Sequence, residues 1–205
     1  MCSAIRVSHY IDSTEVLGPG KRFVIWFQGC RKRCHNCINP DGQAEQGGSL
    51  VSVEYLFSEI VKTKGIQGIT ISGGEPFLQF EALRELIDRI RRDTRLDIML
   101  YSGYTLEELK RQLGDTTLQT FLQKIDIFID GEYIEQLDTG SIYRGSDNQN
   151  IYFFTDKYRS FARQIYEAKN REIEFDVRTD AETYMIGIPP KNFYQEFIKK
   201  IEEVR

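Results

Sequence analysis

Nowhere does this chain carry a run of about 18 apolar residues, the length an α-helix needs to cross a bilayer. Its first residues, Met1 to Val16, also lack the apolar core of an export signal. The sequence therefore predicts no membrane insertion and a cytoplasmic location. Basic charge is in short supply: 27 Lys and Arg stand against 31 Asp and Glu, a net charge of -4, so no global attraction to nucleic acid or anionic lipid is expected. Four cysteines in 205 residues are too few for a disulfide scaffold. With five prolines and no repeat or low-complexity tract, there is no sign of a linker, and we read residues 1–205 as one domain long enough to bury a core.

What is present is an alternation of strand and helix patterns. Phe23 to Phe27, Gly68 to Ile71, Asp97 to Tyr101, Ile127 to Asp130, Ile151 to Phe154 and Glu174 to Val177 are short runs rich in β-branched and aromatic residues, predicted to be buried strands. Between them, Val53 to Lys64 and Phe80 to Arg92 place their apolar residues on one helical face. Further helices are predicted over 105–113, 118–124, 157–169 and 192–204, the first opened by a Thr105-x-x-Glu108 capping box. Such alternation implies an α/β fold with a mainly parallel sheet, whose binding groups gather at the C-terminal ends of the strands.

Three of the four cysteines fall within eight residues, directly after the first predicted strand. Cys30, Cys34 and Cys37 form a C-x3-C-x2-C loop, and thiolates crowded in this way are metal ligands rather than disulfide partners. Soft thiolates select iron–sulfur clusters, zinc or cuprous copper; three of them on a four-iron cube leave one iron open to substrate. A Cys3His zinc site completed by His35 stays open on spacing alone. Cys2, near the chain start, reads as a bystander.

A second feature follows the second strand. Ser72-Gly73-Gly74-Glu75-Pro76 is a turn in which paired glycines let the backbone bend sharply and approach a ligand, leaving peptide groups to hydrogen-bond it, while Glu75 can accept from an ammonium group. Alone it is equally an ordinary turn. Ser102 and Asp130, at the C-terminal ends of their strands, can face the same cavity, though turn and capping roles are open for each.

The cysteine triplet resembles the defining motif of the radical S-adenosylmethionine superfamily, with Asn36 where that family often has an aromatic residue. Gly73-Gly74-Glu75-Pro76 resembles its turn for the amino group of S-adenosylmethionine. The resemblance implies a partial (βα)6 barrel, a 4Fe-4S cluster on Cys30, Cys34 and Cys37, and S-adenosylmethionine held by Gly73, Gly74, Glu75, Pro76, Ser102 and Asp130. It further implies reductive cleavage to a 5′-deoxyadenosyl radical that abstracts hydrogen. Gly18-Pro19-Gly20, Arg22-Phe23, Asn39, Leu100 to Thr105, Asp126 to Gly131 and Arg144 to Gln149 are similar to the glycyl radical enzyme activating family, which includes activating proteins of anaerobic ribonucleotide reductase. The expected partner is a glycyl radical enzyme; modification of a ribosomally made precursor peptide is the alternative. Arg31, Lys32 and Arg33 form a basic patch suited to an acidic electron donor such as flavodoxin.

Overall fold

The computed structural model describes residues 3–177 and 183–204. Cys2 and part of the Glu174 to Pro190 segment lie outside the described residues. In chain order come β1 (Ala4–Thr14), β2 (Arg22–Phe27), β3 (Ser49–Ser52), α1 (Val53–Lys62), β4 (Gly68–Gly73), α2 (Phe80–Asp93) and β5 (Asp97–Tyr101). They are followed by α3 (Leu106–Leu113), α4 (Asp115–Leu122), β6 (Ile127–Asp130), β7 (Asn150–Phe153), α5 (Ala162–Glu167), β8 (Ile173–Val177), β9 (Thr183–Gly187) and α6 (Phe193–Val204).

Seven strands form one sheet in the order β3-β1-β2-β4-β5-β6-β7. Its four central strands, β2, β4, β5 and β6, are parallel in successive pairs, while β1, β3 and β7 join antiparallel. The parallel strands read as continuous apolar runs because both their faces are covered. On one face Phe23, Ile25, Phe27, Ile69, Ile71, Ile98, Leu100 and Phe128 pack against Leu56 and Ile60 of α1, Leu83 and Leu86 of α2, Leu109 of α3 and Phe121 of α4. On the other, Val24 meets Ile11, Val16, Leu17 and Ile186, and Met99, Ile127 and Ile129 meet Ile151, Tyr158 and Ile165.

Two sequence expectations change. The buried strand expected over Glu174 to Val177 forms as Ile173–Val177, but it pairs with β9 in a separate two-stranded sheet and is not buried, Phe175 and Val177 being exposed. The helix expected over 157–169 contracts to Ala162–Glu167, because Lys157 and Tyr158 turn their side chains onto Asp97 at the start of β5. The N-terminal ends of the parallel strands are knitted by charge: Arg22, wholly buried, lies 2.5 Å from Asp97 and donates to Thr70 and to the Ile69 carbonyl. The opposite, C-terminal ends carry the loops that hold the candidate residues.

Candidate functional site

The cysteine loop begins where β2 ends and folds back on itself. Gly29 N–H donates to the Gly42 carbonyl and Cys30 N–H to that of Gln43, while the buried Gln28 side chain donates to the carbonyls of Asp41 and Ala44. Arg33 and Asn36 adopt positive φ, 53° and 50°. This left-handed conformation suits Asn better than most side chains, which gives a local reason for Asn36 at a position where an aromatic was expected. Asn36 also donates to Glu135 at 2.8 Å.

All three thiols are free; Cys30 is buried, Cys34 and Cys37 half-buried. Burial pushes the Cys30 thiol up, backbone N–H groups of Lys32 and Arg33 pull it down, and the negative charges of Glu75 and Cys37 raise it again. Cys34 is likewise raised by burial, drawn down by the Tyr133 N–H, and raised by Cys37, Glu132 and Cys30. Burial thus raises both thiols, and nearby backbone N–H groups partly offset it, as they would for a metal-bound thiolate. Among the described residues no three Cys, His, Asp or Glu side chains meet around a point that would hold a single ion. A four-iron cube offers separate corners, so its ligands need not converge on one point; the donor set fits such a cluster. His35 is exposed.

The glycine turn packs directly under this loop. Gly73 has φ +109°, and a Cβ on Gly74 would lie 2.3 Å from the Gly29 carbonyl oxygen and 2.6 Å from that of Gly42, so only glycine lets the two backbones touch. The Gly74 and Glu75 N–H groups are not left for a ligand, as the sequence suggested: they donate to the carbonyls of Phe27 and Gly29. Pro76 opens a 3-10 turn, Pro76–Gln79.

Glu75 is fully buried and ties β4 to β5. Its carboxylate accepts from Phe77 N–H at 3.0 Å, from the Ser102 hydroxyl at 3.0 Å and from Gly103 N–H at 2.7 Å. Burial pushes its pKa up to about 7 against those donors and the Lys32 charge. Ser102 and Glu75 are therefore brought together. Asp130 sits one strand further on, where it accepts from Leu106 N–H at the start of α3, from Asn150 and from the Tyr152 hydroxyl.

Sequence reasoning missed the struts between these segments. Lys32, from the cysteine loop, reaches Glu108 at 2.8 Å and covers the Tyr104 ring; Arg31 pairs with Glu45, so two members of the basic patch already face carboxylates. Gln79 clamps Arg6 N–H, the Arg6 carbonyl and the Gln28 carbonyl. The Arg144 to Gln149 segment folds around its own side chains: Gln149 accepts from Gly145 N–H and donates to the Gly131 carbonyl. Arg171 pairs with Asp138 at 2.7 Å and donates to the carbonyls of Arg144 and Gly145. Arg31 and Lys32 stood out as a basic patch, Arg144 to Gln149 as a family-like segment and Glu108 as a capping residue, but none of these signals pointed to the pairings they make, and Gln79 and Arg171 carried none.

A family model described as a 4Fe-4S single cluster domain matches residues 16–152, a span holding every candidate residue. The anaerobic ribonucleoside-triphosphate reductase-activating protein of Enterobacteria phage T4 is 34% identical over 147 residues, 69% of this chain and 89% of that protein. Its counterpart in Haemophilus influenzae is 33% identical over 153 residues, 71% of this chain and 96% of the other. The pyruvate formate-lyase 1-activating enzyme of Escherichia coli is 40% identical over 85 residues, 39% of this chain and 35% of its own. An iron–sulfur family spanning all three cysteines displaces the zinc alternative. The chain belongs to the 4Fe-4S single cluster domain family of radical S-adenosylmethionine activating enzymes, which work with a 4Fe-4S cluster and S-adenosylmethionine.

Proposed function

We propose that this enzyme activates a glycyl radical partner, most closely in the manner of an anaerobic ribonucleotide reductase activating protein. In this reading Cys30, Cys34 and Cys37 hold the cluster, and Gly73, Gly74, Glu75, Pro76, Ser102 and Asp130 form the wall for S-adenosylmethionine. The observation that carries it is the junction of the cysteine loop with the Glu75–Ser102–Gly103 turn, inside a segment matched to activating proteins. Held by these residues, the cluster and S-adenosylmethionine would supply one-electron cleavage of the sulfonium, chemistry that would end in loss of hydrogen from a glycine of the partner.

The chain's own residues position and shield. Gly73 and Gly74 bring β4 against the base of the cysteine loop, and Glu75 offers a buried negative charge to an ammonium group while fixing the turn after β5. Lys32 and Glu108 hold the loop onto α3, limiting solvent access beside the thiols. The four parallel strands in successive order, with α1 to α4 on one face, support the partial (βα)6 barrel expected of such enzymes. An acidic donor such as flavodoxin would meet Arg31, Lys32 and Arg33, and reduced thiols suit the cytoplasm.

A second reading, modification of a precursor peptide, draws on the β8–β9 sheet, which lies beyond the matched segment. Anaerobic reconstitution with iron and sulfide, followed by incubation with S-adenosylmethionine, dithionite and an anaerobic reductase, separates the two. 5′-Deoxyadenosine together with a persistent glycyl doublet in electron paramagnetic resonance is expected. 5′-Deoxyadenosine without that doublet, accompanied by a mass change in a small peptide, would replace activation by peptide modification.

A further inference from the structure

The outer edge of β1 is only half covered. On the side away from β2, β1 pairs with β3 over Ala4 to Val7 and no further, so from Tyr10 onward that edge meets no strand among the described residues. Beside it lies a cavity of about 750 Å³ between β1 and the β8–β9 hairpin, lined by Tyr10, Asp12, Val51, Glu59, Glu174 and Phe175 among others. Its lining includes four carboxylates, Asp12, Glu59, Glu174 and Asp176, from three separate elements, together with His9 and, among the described residues, no Lys or Arg.

We propose that this groove docks a basic, extended segment of the protein that the enzyme activates, added as a strand to the β1 edge. An exposed edge supplies main-chain donors and acceptors, and alternate side chains of an added strand point into the flanking pocket. Val51 and Phe175 give apolar contact, Phe175 being 41% exposed. Among the described residues Asp12 has no ion pair and Glu174 accepts only from the Thr14 hydroxyl and Glu15 N–H, so no described cation offsets either charge. Glu59 does pair with Lys62, which is 70% exposed. A second copy of this chain fits poorly, because strand-to-strand pairing would set Asp12, Glu59 and Glu174 against their own equivalents. The partner's identity rests on the activating reading; the chemistry of the occupant rests on the groove.

The test uses the cluster-loaded enzyme and a labelled synthetic nonapeptide alternating Lys or Arg with Val and Thr, beside its Glu-substituted counterpart. Salt-sensitive binding of the basic peptide alone, with slowed amide exchange at Tyr10 to Ser13, is expected. In D12K/E59K the affinity should fall by about tenfold or more, with a smaller loss in the milder Asp12→Asn, while partner-free cleavage of S-adenosylmethionine is unchanged. Glycyl radical formation at limiting reductase should fall in parallel. Equal binding of the acidic peptide, protection elsewhere on the chain, unaltered affinity in both variants or self-association through this edge would overturn the groove. Intact peptide binding with no glycyl radical in the unmodified enzyme would instead overturn the activating reading and leave the groove standing.

Discussion

Glu75 shows how much can hang on one side chain. Its pKa is raised by burial from an ordinary 4.5 to about 7, so across that window the folded chain keeps a proton the unfolded chain has released. The group's contribution to stability is complete below 4.5 and is lost as pH rises through about 7. The urea midpoint of the cluster-free chain should therefore drop over this range, and Glu75→Gln should flatten the drop; an unchanged slope in the variant would assign it to other groups. Beside it, Gly74→Ala places a Cβ against two carbonyl oxygens at the base of the cysteine loop. We expect a stability loss of about 1–3 kcal/mol from overpacking and less iron taken up on reconstitution, read by thermal unfolding and iron assay.

Among the elements, α3 connects scaffold and site. Thr105 and Glu108 form a reciprocal capping box, and the same Glu108 receives Lys32. Thr105→Ala should cost about 1 kcal/mol in urea unfolding while Glu108 continues to hold Lys32, so iron content should stay at the level of the unmodified protein. Glu108→Ala should lower both. The four central strands were legible because strands covered on both faces are apolar throughout, as in Phe23 to Phe27. The strand β1 escaped notice because its alternation breaks twice, with register shifts between Val7 and His9 and between Ile11 and Thr14. The strand β8 was recognised but not its separate sheet, since a run of five residues says nothing about its partner. In the site, the cysteines and the glycine turn stood out by spacing. The Tyr133 N–H, Gln28 and Gln79 did not, because a backbone donor and a lone amide leave no pattern in a sequence.

Across the whole molecule the two ends of the parallel strands divide the labour. The N-terminal ends carry the buried Arg22–Asp97 pair, to which Lys157 and Tyr158 are drawn, and a Cβ on Gly68 would lie 2.2 Å from Asp97 Oδ1. Asp97→Ala leaves the Arg22 guanidinium buried without its counter-charge, and a loss of about 3–5 kcal/mol in unfolding free energy is expected. A loss below about 1 kcal/mol would mean that Thr70 and the Ile69 and Pro19 carbonyls suffice to hold Arg22. The C-terminal ends carry the candidate site residues. There the cysteine loop is tied to residues much later in the chain: Gly29 accepts from Glu75 N–H, Lys32 meets Glu108 and Asn36 meets Glu135. Contacts of such long sequence separation form late in folding, after the intervening loops have closed. A chain emerging from the ribosome therefore displays its three thiols before the residues that tie down their loop, Glu108 and Glu135 among them, have been made.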